Sequence, residues 1–155
     1  MLILPLQSGS NGNCIYVETR GVRVLLDAGI SGRQGELRLA AHGRDIRDVD
    51  AVLLSHDHSD HCRAAGVLHR KFGLAVHATE ATLHAACRQH GLGAFREVHH
   101  FRRGETLTFG SLRVTVVPTP HDGADAGAFV LDDGRHRFGV LTEVAFKVLP
   151  APEAA

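Results

Sequence analysis

One stretch limits the possible folds of this 155-residue chain more than any other. The apolar run Ala51-Val52-Leu53-Leu54 stops at Ser55 and gives way to His56-Asp57-His58-Ser59-Asp60-His61. Four potential metal ligands, His56, His58, Asp60 and His61, fall within six residues. Alternate histidines on a strand would point to one side, but the polar residues begin where the apolar run ends, which places them on a loop at the end of a strand. Two imidazoles from one short loop, followed by a carboxylate and a third imidazole, suit Zn²⁺ or a similar divalent ion. The competing reading makes Ser59 or Asp60 a helix cap and leaves His56 and His58 on the surface. It accounts for any one of these residues but not for their clustering, since packed imidazoles and carboxylates have little purely structural use.

The length predicts one domain with a real core. No apolar run approaches the length of a membrane span. The start, Met1-Leu2-Ile3-Leu4-Pro5-Leu6, lacks a basic region and a small-residue cleavage site, and reads as a strand rather than a signal peptide. The 17 basic and 17 acidic side chains cancel, so there is no broad electrostatic footprint for nucleic acid. Cys14, Cys62 and Cys87 are odd in number and lack metal-type spacing, which favours a reducing cytoplasm. Cys62 reads as a small buried filler beside His61. Of the 12 histidines, His69, His84, His90 and His136 sit in ordinary helix or turn contexts.

In chain order, a strand over Leu2–Leu6 leads into Gln7-Ser8-Gly9-Ser10-Asn11-Gly12-Asn13, a turn-rich segment suited to positive φ. Cys14–Glu18 and Val22–Leu26 predict a hairpin turning at Arg20-Gly21. It ends in Asp27-Ala28-Gly29, where Asp27 either bonds nearby amides or supports the histidine loop from behind. Ser31 and Gln34 form a capping-box pattern for a helix closed near Gly43, with Leu37, Ala40 and Ala41 as its apolar stripe. The strand Asp50–Ser55 feeds the histidine loop, and a helix follows with Ala64, Ala65, Leu68 and Phe72 inward. Strand Ala75–Ala78 and a helix from the Thr79 cap to about His90, closed by Gly91, come next. Strands over Glu97–Phe101, Thr106–Phe109, Leu112–Pro118, Ala128–Leu131 and Phe138–Thr142 complete a mixed α/β pattern. Residues 1–146 form the expected domain, with a fraying tail over 147–155.

Two later residues stand at strand ends. His121 follows Val116-Val117-Pro118-Thr119-Pro120, and Glu143 follows the apolar run Phe138–Leu141. Either alone reads as a surface residue. With Asp27 and the loop His56–His61, they make four strand ends bearing carboxylate or imidazole groups, and layered α/β folds gather ligands there.

His56-Asp57-His58-Ser59-Asp60-His61 matches the H-x-H-x-D-H signature of the metallo-β-lactamase superfamily, which this chain resembles from residue 1 to about Glu143. Ser8-Gly9-Ser10-Asn11-Gly12-Asn13-Cys14, Leu26-Asp27-Ala28-Gly29 and Pro120-His121-Asp122 more narrowly resemble its WalJ/YycJ-like branch. The resemblance implies an αββα sandwich with a two-metal site at one edge of the sheets. Its metals would be Zn or Mn. Carried over residue by residue, His56, His58 and His121 would hold the first metal, and Asp60 and His61 would belong to the second. Asp27 would support the loop. Glu143 stands where the family uses a bridging Asp, one methylene shorter. The family pattern continues with further strands, helix and another histidine ligand, so the expected sandwich is incomplete on its C-terminal side, with a weak or empty second metal site.

The implied chemistry is hydrolysis by a metal-activated water that Asp60 orients, with no side-chain nucleophile. The branch resemblance directs this to phosphodiester bonds of DNA, as in an exonuclease, with DNA as partner and no membrane. The alternatives are a glyoxalase-II-like thioester hydrolase and a mononuclear metal-binding protein without catalysis. A second copy of the chain is a further expected partner, covering the open sheet face.

Overall fold

The computed structural model describes residues 1–119 and 125–141 fully, and the backbone of 144–149. His121 and Glu143 lie outside the described residues. A first sheet is built from β1 (Leu2–Gln7), β2 (Cys14–Thr19), β3 (Val22–Leu26), β4 (Ala51–Leu53), β5 (Ala75–Ala78) and β6 (Val98–His100), in that spatial order. Its first three strands are antiparallel, whereas β3 through β6 run parallel. The change follows from the connections. A tight turn joins β2 to β3, but helical crossovers separate the later strands, and such crossovers return the chain in the same direction. These are α1 (Gly32–Ala41), α2 (Ser59–Cys62) with α3 (Ala65–Phe72), and α4 (Glu80–His90).

The second sheet is antiparallel, in the order β11 (Val144–Leu149), β10 (Arg137–Leu141), β9 (Gly127–Asp132), β8 (Leu112–Pro118) and β7 (Thr106–Phe109). Two cores result. Tyr16, Leu25, Val52 and Val76 face the helices and meet Leu39, Ile46, Leu68, Phe72 and Leu83. Ile15, Val17, Val24, Leu26, Ala51 and Leu53 face the other way, onto Leu112, Val114, Val116, Phe129, Leu131 and Val140 of the second sheet. The first sheet is therefore apolar on both faces, as parallel strands between two layers must be. Helix, sheet and sheet account for three layers of an αββα sandwich, and no helix follows α4 among the described residues.

The N-cap and C-cap signals act as read, but only the Ser31 half of the capping box forms, since Gln34 Oε1 accepts from Arg38 instead. The hydroxyls of Ser31 and Thr79 accept from the N–H groups of Gln34 and Thr82, and Gly91 closes α4 in the left-handed region. Two expectations need correction. The stripe of α1 is not Leu37, Ala40 and Ala41; Leu37 is 57% exposed, and Gly32, Gly35 and Leu39 face the core. The helix packs so closely that a Cβ at Gly32 would come within 3.1 Å of Val67 and one at Gly35 within 3.3 Å of Ile46. Contact through glycines carries no hydrophobic signal. The start of the expected fraying tail over 147–155 is also corrected, because Lys147, Val148 and Leu149 pair with Gly139, Phe138 and Arg137; residues 150–155 lie outside the described residues.

Candidate metal centre

Parallel pairing of β3 with β4, Leu26 against Leu53, sets the strand-end residues side by side. Asp27, the residue after β3, adopts a left-handed φ of 66° and donates its N–H to the Leu53 carbonyl. Asp tolerates that conformation better than most residues, and strained backbone of this kind clusters at functional sites. Its buried carboxylate then accepts from the Ser55 N–H at 2.8 Å, the Ser55 hydroxyl at 2.8 Å and the His61 ring at 2.7 Å.

These bonds fix the tautomers of two histidines. The Asp27 carboxylate only accepts, so His61 must carry its proton on Nδ1. Ser55 spends its single proton on Asp27, yet its oxygen lies 2.9 Å from His56 Nδ1. That oxygen can only accept there, so His56 is also protonated on Nδ1. Both rings are left with an Nε2 lone pair, the form in which a histidine held by a carboxylate or hydroxyl binds a metal. The ring centroids of His56 lie 4.6 Å from His58 and 4.1 Å from His61. Asp60 Oδ2 is 3.5 Å from His61 Nε2. His56 and His61 are buried, whereas His58 and Asp60 are partly open to solvent, so the cluster has a mouth. The N-cap of α2 is His58 and makes no side-chain cap bond, which removes the capping explanation for Ser59 and Asp60.

A backbone clasp holds this arrangement. Asn13 donates its N–H to the Asp60 carbonyl, Gly29 to Asn13, and Ala28 to His61. A Cβ at Gly29 would lie 1.8 Å from the Asp60 carbonyl oxygen, and one at Gly12 would lie 2.3 Å from that of Gly29. Gly12 and Gly29 are there because backbone occupies the space of a side chain. Asn13 also brings its amide within 3.3 Å of Asp60 Oδ2 and 3.2 Å of His61 Nε2. At the far end, the Asp57 carbonyl meets His90 Nε2 at 2.7 Å and the Cys62 thiol at 3.4 Å, and Gln89 donates to the Asp57 carboxylate.

In the sequence, His56, His58, Asp60 and His61 form one cluster with Asp27 as its support, and the structure brings these five together. It adds Asn13, Ser55, Asp57, Gln89 and His90. Asn13 is hidden in the sequence by turn composition, and the α4 pair by ordinary helix context. Cys62 is a filler, because burial first, then Asp27, Asp57 and Asp60, push its thiol up to about 12. Among the described residues no group of three His, Cys, Asp or Glu side chains closes into a ready-made cage. The tautomers and ring spacings carry more weight, since side-chain rotation suffices to bring such rings onto one ion, whereas the proton positions are set by buried bonds. The donor set of paired imidazoles and one carboxylate fits a divalent metal.

The family model of the metallo-beta-lactamase superfamily matches residues 8–141. The chain belongs to that superfamily. Membership implies divalent metal ions, most often zinc. The chain is 36% identical over 143 residues to "Exodeoxyribonuclease WalJ" of Streptococcus pneumoniae, covering 91% of this chain and 53% of that protein. It is 33% identical over 141 residues to "Exodeoxyribonuclease YycJ" of Bacillus anthracis, again covering 91% and 53%. The chain thus spans about half the length of these curated relatives. The subclass B3 metallo-beta-lactamase BJP-1 of Bradyrhizobium japonicum superposes with a TM-score of 0.67 at 18% identity, over 82% of this chain and 53% of that one. At that identity the likeness shows the fold alone, a metallo-β-lactamase sandwich of which the described residues form the helix, sheet and sheet layers.

Proposed function

We propose that the chain carries the metal-binding half of a metal-dependent phosphodiesterase that acts on DNA. What carries the reading is its similarity to two proteins named exodeoxyribonucleases across 91% of its length, in a region that contains the whole histidine loop. In this reading His56, His58 and His121 would hold one ion, and Asp60 and His61, with Glu143, would serve a second. Divalent ions there would supply Lewis acidity, acidifying a water and neutralising charge at the attacked phosphorus. The chain's own residues do the positioning. Asp27 and Ser55 hold two rings with Nε2 outward, Asp60 at the open side orients the incoming water, and the Asn13 amide fixes Asp60. No side-chain nucleophile is required.

The test is incubation of Zn²⁺- or Mn²⁺-loaded protein with end-labelled DNA, alongside a thioester. Stepwise loss of nucleotides that stops on chelation is expected. Thioester turnover without DNA cleavage would replace the reading with a glyoxalase-II-like hydrolase. One firmly bound metal per chain and neither activity would reduce it to a mononuclear binding protein.

A further inference from the structure

Beside the metal loop lies a second cleft, of about 670 Å³, between the loop over 9–13, the first turns of α1 and the start of α3. Its charged lining is Arg33, Arg38 and Arg63, with no Asp or Glu among the lining residues. In a chain whose 17 basic and 17 acidic side chains cancel overall, three arginines lining one cleft with no acidic residue are a marked local excess. None of the three has a carboxylate partner among the described residues. Arg38 donates to the Leu6 carbonyl and to Gln34 Oε1, and Arg63 to the Asn11 carbonyl. These neutral acceptors anchor two guanidiniums without cancelling their charge, and each retains N–H donors in a planar fork. The larger cleft, of about 1270 Å³ along α4, differs on this point. It sets Arg102 and Arg103 among Glu80, Glu105 and Asp125, with Arg103 paired to Asp125 at 2.5 Å.

The arginine cleft is joined to the metal loop by one segment. A Cβ at Gly12 would lie 3.0 Å from Arg63 Nη2, while the next residue, Asn13, bonds Asp60 and approaches His61. The loop over 9–13 therefore has Arg63 on one side and the candidate ligands on the other. Val67, 43% exposed, adds an apolar wall. Forked guanidiniums without counter-charge beside an apolar side chain match a phosphate together with its sugar or base.

We infer that this cleft is a phosphate-binding subsite, in which Arg33, Arg38 and Arg63 hold a phosphate of the nucleic acid strand next to the one presented to the metal loop. The inference takes its substrate class from the nuclease reading, and it is tested through binding rather than turnover. The probe is a 3′-fluorescent, phosphorothioate-linked single-stranded deoxyoctamer, with either a 5′-phosphate or a 5′-hydroxyl, titrated by anisotropy at several salt concentrations. The full chain is compared with Arg33→Gln and with Arg33→Gln/Arg38→Gln/Arg63→Gln. Arg33 makes no side-chain bond within the described residues, so its variant keeps the test valid if the triple variant unfolds. The triple variant is expected to bind at least about tenfold more weakly and Arg33→Gln about threefold, with the slope of log K on log salt falling by about 0.7 for each phosphate no longer neutralised. A loss confined to the 5′-phosphate strand assigns a terminal phosphomonoester, and an equal loss for both assigns an internal diester. Unchanged affinity and slope in the variants, or no strand binding by the unaltered chain, would overturn the inference. Binding through these arginines without cleavage of ordinary DNA would remove the hydrolase reading and leave this one standing.

Discussion

Two groups of histidines stand in this molecule, and they differ in what lies behind the rings. In the first, the His56 centroid lies 4.6 Å from that of His58 and 4.1 Å from that of His61. His77 on β5 and His99 on β6 stack at 4.6 Å with only 15° between their planes. By proximity the two groups are equals. Behind the first lie a buried carboxylate and a hydroxyl that place protons on Nδ1 and leave Nε2 lone pairs. The second has Phe109 in T-shaped contact with His77 and an exposed Glu97 beside His99. Burial first, then His99, push His77 down to about 4, so the His77 ring is held neutral at ordinary pH. Close rings become a ligand set only when a supporting layer fixes their protons.

The largest effect should come from breaking the clasp behind the first group. Gly29→Ala drives a Cβ to within 1.8 Å of the Asp60 carbonyl oxygen, backbone against backbone. It is expected to cost about 4 kcal/mol or more, measured by urea unfolding. Gly21→Ala, with open space around the Cβ but a left-handed φ of 78°, is the comparison and should cost only the backbone strain, about 1–2 kcal/mol. Next, Asp27→Ala leaves Ser55 and His61 donors buried without their acceptor. A loss of about 3 kcal/mol in stability is expected, together with a roughly 10- to 100-fold loss of metal affinity by competitive chelator titration.

His77 gives a smaller effect of different form. Its folded value, about 4, lies below the ordinary 6.5. Between those values the unfolded chain takes up a proton that the native chain excludes, so stability falls as pH drops through that window and is unaffected above it. His77→Gln should flatten the acid limb of a melting-temperature profile between about pH 6.5 and 4 and leave the alkaline side, near pH 8, unchanged. An acid limb identical to that of the parent chain would remove the neutral reading of this partly buried ring. The smallest effect belongs to His99→Ala, an exposed ring whose loss should leave melting on the alkaline side indistinguishable from the parent.

The parts of this structure legible in the sequence are those where one residue signals one local event. Ser31 and Thr79 start helices, Gly91 ends one, and the break from Leu54 to His56 marks a strand end. Asp27 could be recognised as a support because it also stands at a strand end. Features that depend on two distant segments meeting were hidden. Gly32 and Gly35 form the buried face of α1 although they carry no side chain, while Leu37, the residue a hydrophobic pattern selects, points outward. Asn13 reads as one more turn residue until the Asp60 carbonyl is seen against its N–H. Gln89 and His90 look like a helix end until Asp57 lies beside them. The pairing of Lys147–Leu149 was obscured by the Pro/Ala-rich tail that follows.

The most direct test of the supporting-layer account is zinc stoichiometry and affinity, measured by native mass spectrometry with chelator competition on three chains. These are the parent, Asp27→Ala, and the double variant His77→Ala/His99→Ala. The account predicts that the double variant binds zinc as the parent does, while Asp27→Ala loses affinity roughly 10- to 100-fold. Zinc binding abolished by the His77 and His99 changes but kept without Asp27 would contradict it.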